Sequence, residues 1–189
     1  MINKDIGILS KEARVLLQSL IAIPSLSKEE KQTADCIESF LQQKNIGTNR
    51  VLNNIWAGNK YFDKSKPSIL LNSHHDTVAA NSKYTRDPFL PEIIDGKLYG
   101  LGSTDAGASL ASLIATFYNF HDEPNLPYNI VLAASAEEEI SGKDGIEKLF
   151  SDKNFSDLFQ HKDSFAIVGE PTELQLAIAE KGLLVLDGV

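Results

Sequence analysis

Residues 129–139 read "NIVLAASAEEE", an uninterrupted apolar run that ends directly in three adjacent glutamates. A short continuous apolar run is typical of a strand that is covered on both faces. Two further runs have the same form, "SILLN" at 68–72 and "FAIVG" at 165–169. Together the three runs predict buried strands of one central sheet.

The segments between these runs have helical spacing. "ASLASLIATFYNF" at 108–120 predicts a helix, and "DGIEKLF" at 144–150 predicts a shorter one. The inward positions of the longer helix are Leu110, Leu113, Ile114 and Phe117. Alternation of strands and helices predicts an α/β fold, a mostly parallel sheet flanked by helices. The last segment, 174–186, alternates around "EKG" and predicts a hairpin.

Two helices are predicted before the first strand. Ser10 is the expected N-cap of the first, which Pro24 ends. Ser27 and Glu30 have the spacing of a capping box and predict the start of the second, which stops near Gly47.

Composition restricts the function classes. The chain has 189 residues, enough for about one domain, and a net charge of −8. Nucleic acid and anionic membranes are excluded as partners, because both bind basic patches. The single cysteine, Cys36, permits no internal disulfide and is expected to be a small buried hydrophobe. No stretch approaches the ~18 apolar residues of a membrane span, so we expect a cytoplasmic protein.

Potential metal ligands follow each predicted strand directly. His74, His75 and Asp76 follow the first strand, the glutamates at 137–139 follow the second, and Glu170 follows the third. Sites in open parallel sheets form outside the carboxyl ends of the strands, so these side chains should meet at one edge. Adjacent carboxylates repel one another unless a cation lies among them. The pattern therefore predicts a metal site.

Asp105, in "GLGSTDAGAS" at 100–109, is a fourth candidate. The glycines around it match neither a dinucleotide fingerprint nor a phosphate-binding loop. An acidic residue that merely favours a helix N-terminus is the alternative interpretation.

Four motifs resemble those of a known family when they are taken in order. They are "HHDTV" (74–78), "DGKLYGLGSTDAG" (95–107), "EEEISGKDG" (137–145) and "VGEPT" (168–172). As a set they resemble the acetylornithine deacetylase / succinyl-diaminopimelate desuccinylase / carboxypeptidase family of two-zinc hydrolases. The resemblance runs from about residue 10 to the end of the chain and implies a zinc-peptidase-like catalytic domain.

The resemblance implies four metal ligands. His74 resembles a ligand of the first metal, Asp105 the carboxylate that bridges both metals, Glu139 a ligand of the second and Glu170 the acid that completes the first. Two Zn²⁺ ions are implied, with Co²⁺ as a substitute. Three carboxylates and one bridging hydroxide would balance the charge of about +4.

Two further residues resemble catalytic groups. Glu138 resembles the general base, and Asp76 the acid that fixes the orientation of His74. A shift of one residue would instead make Glu137 the base and Glu138 the ligand, although the following "GKDG" favours the first register. The family also implies a cis peptide bond after the bridging aspartate, here Asp105–Ala106.

The chain departs from the family at its end. Members carry a further histidine ligand and a lid domain that shapes the substrate pocket and forms a homodimer, and neither appears before Val189. We therefore expect residues 1–189 to be a single, incomplete catalytic domain that is monomeric by itself. We also expect reduced metal occupancy at the second position and little or no hydrolysis. His121 and His161 should lie on the surface at the opposite edge of the sheet.

The leading hypothesis is a metal-dependent hydrolase of the amide bond in small N-acyl amino acids, most like acetylornithine deacetylase. A two-zinc aminopeptidase or dipeptidase is the rival enzyme, and a magnesium phosphatase is disfavoured because His74 suits zinc. A catalytically silent module that binds metal or a partner is the hypothesis from another class.

Overall fold

The computed structural model describes residues 4–178. Its helices are α1 (Ile6–Ile21), α2 (Lys31–Gln43), α3 (Ser109–Phe120), α4 (Ile146–Ser151) and α5 (Lys153–Ser156). Its strands are β1 (Asn49–Val51), β2 (Asn54–Gly58), β3 (Ser68–His74), β4 (Glu92–Ile94), β5 (Lys97–Tyr99), β6 (Asn129–Ser135) and β7 (Phe165–Val168). Short helical turns lie at Ser103–Ala108, Glu138–Ile140 and Asp157–Phe159.

The main sheet has the strand order β1-β2-β6-β3-β7. The three predicted strands, β3, β6 and β7, are its parallel part, and β1 and β2 add an antiparallel edge that the sequence did not predict. β4 and β5 form a separate antiparallel pair. The predicted fold class, a mostly parallel sheet flanked by helices, is confirmed.

Alternating residues of the central strands enter two apolar clusters on opposite faces of the sheet. Leu71 and Leu132 pack with α1, α2 and α3, whereas Leu70 and Val131 pack with α4 and α5. Of the predicted inward positions of α3, Leu110, Ile114 and Phe117 are fully buried, and Leu113 is half-buried. Each buried side chain of this size contributes about 1.5–3 kcal/mol, so α3 is fixed firmly beside the sheet.

Both predicted helix starts are wrong. Asp5, not Ser10, caps α1, because its carboxylate accepts the backbone N–H of Ile8 at 3.0 Å. α2 starts at Lys31 without any side-chain cap bond and ends at Gln43. Ser27 and Glu30 therefore form no capping box, and their hydrogen bonds are made with other parts of the chain.

The prediction that "FAIVG" is covered on both faces is also wrong for the described residues. Phe165, Ile167 and Val168 of β7 are 48%, 45% and 56% exposed. The reason is position: β7 lies at the edge of the described sheet, where β3 is its neighbour. The hairpin predicted at 174–186 lies mostly outside the described residues, and 174–178 form no strand.

Two expectations from composition agree with the structure. Cys36 is half-buried against the core beside α3, and burial raises the pKa of its thiol, so it is poorly reactive. Within residues 4–178, no helix combines the length and apolar character that a membrane crossing requires.

Candidate metal centre

The carboxyl ends of β6, β3 and β7 meet at one edge of the sheet. His74 ends β3 opposite Ser135 of β6, and Asn72 of β3 pairs with Val168 of β7. The register therefore places Glu170, two residues beyond β7, on the same edge as His74. The acidic residues after β6 reach that edge in the same way, as parallel pairing predicts.

Asp105 comes to this edge from the turn Ser103–Ala108, which leads directly into α3. Asp105 has an extended backbone, and the Asp105–Ala106 peptide bond is cis, as the family resemblance implied. Gly107 closes the turn, since its N–H donates to the Gly102 carbonyl at 2.9 Å. A Cβ atom at Gly107 would lie 2.5 Å from that same carbonyl oxygen, so the turn has no room for a side chain there.

His74 is the centre of a group of acids. Its Nε2 lies 3.2 Å from Asp105 Oδ1 and 3.8 Å from both Glu138 Oε2 and Glu170 Oε2. One possible ligand atom each from His74, Asp105 and Glu170 lies within 4.8 Å of the others. A nitrogen and carboxylate oxygens converging in this way form a donor set that suits Zn²⁺.

The other ring nitrogen of His74 determines its tautomer. Nδ1 lies 3.0 Å from the carbonyl oxygen of Asp76 and 3.3 Å from its carboxylate Oδ1. Both neighbours are acceptors, so Nδ1 carries the proton and donates. Nε2 is therefore the ring nitrogen that faces Asp105 and Glu170, and its lone pair, once a metal ion displaces the proton, has the orientation that a metal ligand needs.

The electrostatics of the group favour a positive charge at this point. Burial is the largest effect and lowers the pKa of His74, but Asp76, Glu170 and Glu138 together raise it to about 9. Burial raises the pKa of Glu170, and the charges of Glu138 and Asp105 raise it further, to about 7, against the opposing effect of His74. A divalent cation would supply the positive charge that these residues favour, so the residues fit a metal ion.

Asp76 joins His74 to the segment 136–139 that follows β6. Its side chain is fully buried and accepts the Ser27 hydroxyl at 2.7 Å. It also accepts the backbone N–H groups of Glu138 and Glu139, at 3.1 and 3.2 Å. Burial raises the pKa of Asp76, but hydrogen bonds from His74, Ser27 and Glu138 outweigh that effect and lower it, so the carboxylate is ionised. Sequence reasoning missed Ser27, whose spacing from Glu30 suggested a helix cap instead.

The three adjacent glutamates point to different surroundings. Glu138 approaches His74, as described above, and lines an open cavity of about 690 Å³ with Asp105 and Glu170. Glu139 lines a second open cavity of about 300 Å³ with Asp105. Burial, followed by the charge of Asp105, raises the pKa of Glu139. Asp105 thus lies between the two glutamates and borders both cavities.

Glu137 lies apart from this group. It is buried, and its carboxylate packs against Gly142, where an added Cβ would lie 2.0 Å from Oε2. Among the described residues, the ligand atoms that lie within 4.8 Å of one another belong to His74, Asp105 and Glu170, and Glu139 is not one of this group. The structure therefore brings three of the four predicted ligands together and places the fourth beside Asp105.

The other histidines of the chain have different surroundings. His75 is buried with both ring nitrogens occupied: Nε2 donates to the Asn53 carbonyl and Nδ1 accepts the Thr33 hydroxyl. Burial lowers its pKa, so the ring is neutral. His121, expected on the surface, is 8% exposed and packs its ring against Phe117. His161 is half-buried, in the loop before β7.

Comparison with known proteins identifies the family. The family model of peptidase family M20/M25/M40 matches residues 70–181, which is more than half of the chain. The matched range includes the four predicted metal ligands, Asp76 and Glu138. The chain belongs to peptidase family M20/M25/M40. M20 relatives include the succinyl-diaminopimelate desuccinylase of Buchnera aphidicola from Cinara cedri, 34% identical over 83% of this chain and 42% of the relative.

A second M20 relative is the acetylornithine deacetylase of Shigella sonnei, 31% identical over 88% of this chain and 45% of the relative. Among solved structures, an M20 family metallo-carboxypeptidase from Sulfolobus solfataricus matches 88% of this chain and 37% of its own, with a TM-score of 0.67 and 22% identity. That structural likeness shows the fold. The chain spans less than half the length of the curated M20 relatives.

Proposed function

We propose that this chain carries the metal site of an amidohydrolase that cleaves the amide bond of a small N-acyl amino acid, in the manner of an acetylornithine deacetylase. The names of the two curated M20 relatives support this substrate class, since both describe removal of an acyl group from an amino acid. The proposal extends to a role in amino-acid biosynthesis such as that of arginine, a cytoplasmic location and a homodimeric whole protein.

Four residues would hold the metal in this proposal. His74 and Glu170 would bind one Zn²⁺, Glu139 the second, and Asp105 both, with Co²⁺ as a substitute. When bound, such ions polarise the scissile carbonyl and lower the pKa of a water molecule toward ~7. The position of Asp105 between the two cavities supports its role as the shared carboxylate.

Glu138 would act as the general base and acid. Its side chain is half exposed and its Oε2 lies 3.8 Å from Nε2 of His74, so it borders the group from the solvent side. A carboxylate in this position can accept a proton from the attacking water and later donate it to the leaving amine. Asp76 would maintain the required tautomer of His74 and, through the two backbone N–H bonds, the position of Glu138.

One observation carries the proposal: His74 Nε2 faces Asp105 and Glu170 within 4.8 Å, and Glu138 lies beside them. To test it, the 189-residue chain is loaded with Zn²⁺ or Co²⁺ and incubated with N-acetylornithine, N-succinyl-diaminopimelate and a dipeptide. Turnover of either of the first two substrates, even at a low rate, would support the proposal if Glu138→Gln abolishes it with metal content unchanged. Cleavage of the dipeptide alone would favour an aminopeptidase or dipeptidase.

A second candidate function is metal binding without turnover. Among residues 4–178, His74 is the one histidine whose ring reaches the acidic group, and a two-zinc site of the proposed kind needs one more nitrogen ligand. Stoichiometric metal uptake with no hydrolysis of any of the three substrates would favour this candidate over the hydrolase.

A further inference from the structure

Side-chain oxygens from distant parts of the chain hold four successive backbone N–H groups. Asn54 accepts the N–H of Ala136 at 2.9 Å, and Glu30 accepts that of Glu137 at 3.3 Å. The carboxylate of Asp76 accepts the next two, as described above. Residues 136–139, the acidic loop, are thus fixed through their backbone, which leaves the carboxylates of Glu138 and Glu139 free for the metal centre.

Glu30 is the acceptor of this group that comes from the segment before α2. It is fully buried directly before α2, yet it makes no cap bond to that helix. Its Oε1 accepts the N–H groups of Lys28 and Glu137, and its Oε2 accepts the side-chain amide of Asn53 at 3.0 Å. A buried carboxylate is costly unless hydrogen bonds satisfy it, and here the protein directs one of those bonds to the acidic loop.

The acidic loop needs such support because its local preferences oppose its shape. Glu137 has a φ of +55°, in the left-handed region that non-glycine residues rarely adopt. The loop also carries three carboxylates on successive residues, which repel one another. Neither feature favours the observed backbone, so bonds from outside the loop must maintain it.

We infer that Glu30 is a positioning residue, which acts through the backbone of Glu137 to set where Glu138 and Glu139 meet the metal centre. The inference rests on the proposed function for its consequence at the metal, but the positioning itself can be measured without metal. A displacement of about 1 Å at a reacting group is enough to impair a site of this kind, so Glu30 can matter without touching a ligand.

Three substitutions at Glu30 separate its contributions. Glu30→Ala removes the acceptor. Glu30→Asp keeps the carboxylate on a side chain that is one methylene shorter, so it no longer reaches the N–H of Glu137. Glu30→Gln keeps the length and one acceptor oxygen. Glu29→Ala is the matched control, since Glu29 is exposed and adjacent. Amide hydrogen exchange of the chain in EDTA reports the loop, and calorimetric titration with Co²⁺ reports the metal centre.

Glu30→Ala and Glu30→Asp should speed exchange at Glu137–Glu139 at least about tenfold and weaken Co²⁺ binding about 10–100-fold. In Glu30→Gln and Glu29→Ala, the exchange rates and the Co²⁺ affinity should stay within about threefold of the wild type.

The inference is overturned if amide exchange at Glu137–Glu139 is unchanged in both Glu30→Ala and Glu30→Asp, or if exchange rises equally throughout β6. If Glu30→Ala fails to fold, equal loop exchange in Glu30→Asp and Glu30→Gln overturns it. Absence of Co²⁺ binding by the wild type contradicts the proposed function instead, and the exchange result still decides the positioning.

Discussion

Asp76 accepts the backbone N–H of Glu138 at 3.1 Å while the ring Nδ1 of His74 lies 3.3 Å from the same carboxylate oxygen. One buried acid therefore orients the proposed nitrogen ligand and locates the proposed general base. The two are 64 residues apart in the chain (138 − 74 = 64) and come together because β3 and β6 pair in parallel.

Replacement of Asp76 should weaken metal binding without removing a ligand. Asp76→Asn has one acceptor oxygen where the carboxylate has two, so it cannot serve the Ser27 hydroxyl and the N–H groups of Glu138 and Glu139 together. We expect the Co²⁺ affinity to fall about 10–100-fold, measured by calorimetric titration. Asp163→Asn, at an exposed position, is the control. An affinity equal in the two variants would show that Asp76 does not support the centre.

Substitution of the adjacent histidines, His74 and His75, should have different effects, one on metal affinity and the other on stability. His74→Ala removes the nitrogen that faces Asp105 and Glu170. The Co²⁺ affinity should fall by more than the roughly 10–100-fold that is lost when only a residue hydrogen-bonded to a ligand is replaced. His75→Ala should leave the affinity unchanged. It should instead lower the free energy of unfolding by about 1–3 kcal/mol, measured by urea unfolding, because the Asn53 carbonyl loses its partner. The Thr33 hydroxyl keeps an acceptor in the Glu30 carbonyl at 2.9 Å. Loss of metal binding in His75→Ala alone would reverse the assignment.

His74 and Glu170 should make the metal-free chain less stable as pH rises. The folded pKa of His74 is raised to about 9 and that of Glu170 to about 7, so between pH 4.5 and 9 the folded chain holds protons that the unfolded chain releases. The contribution of Glu170 is lost as pH rises from about 4.5 through 7, and that of His74 as pH rises from about 6.5 through 9. His75 and His121 act in the opposite direction below about pH 6.5, because burial lowers their pKa values. The urea midpoint measured in EDTA should therefore fall from pH 7 to pH 9.

The variant Glu170→Gln provides the control for this prediction, because it cannot titrate. Between pH 5 and 7 the midpoint of the variant should fall less, or rise more, than that of the wild type. A change equal in the two proteins would contradict the raised pKa of Glu170, and a wild-type midpoint that rises from pH 7 to pH 9 would contradict that of His74.

Glycine is required at the turn after the acidic loop. A Cβ atom at Gly145 would lie 2.3 Å from the carbonyl oxygen of Ala136, whereas a Cβ at Gly47 meets nothing within 4 Å. Gly145→Ala should therefore destabilise the chain by about 1–3 kcal/mol, because the backbone has to shift. Gly47→Ala should be neutral or slightly stabilising. Chemical unfolding of both variants is the measurement, and equal stabilities would show that the Ala136–Gly145 contact is not a constraint.

The parallel part of the fold was predictable because its strands are continuous apolar runs separated by helical spacing. β6 spans the predicted residues 129–135, and α3 starts within one residue of its predicted start. β1 and β2 were missed because they are short and their connection is a tight turn, in which Leu52 has a positive φ. Such a turn carries no glycine or proline signal in the sequence.

The sequence was enough to predict that the metal centre lies at one edge of the sheet. It was not enough to predict the hydrogen bonds that support the centre. Residue order and strand register place His74 and Glu170 together. Ser27 and Glu30 have the spacing of a helix cap, and nothing in one sequence shows that they instead bind Asp76 and Glu137. Side-chain directions along an irregular loop depend on tertiary contacts, so the separation of Glu138 from Glu139 could not be inferred either.

The most direct test of the metal centre is a crystal structure of the chain grown with Zn²⁺, with anomalous diffraction recorded at the zinc edge. We predict a zinc peak contacted by His74, Glu170 and the carboxylate of Asp105. A second peak of lower occupancy is predicted next to it, contacted by Asp105 and Glu139. Zinc bound only elsewhere on the chain, or no peak among these four side chains at full occupancy of added metal, would contradict the account.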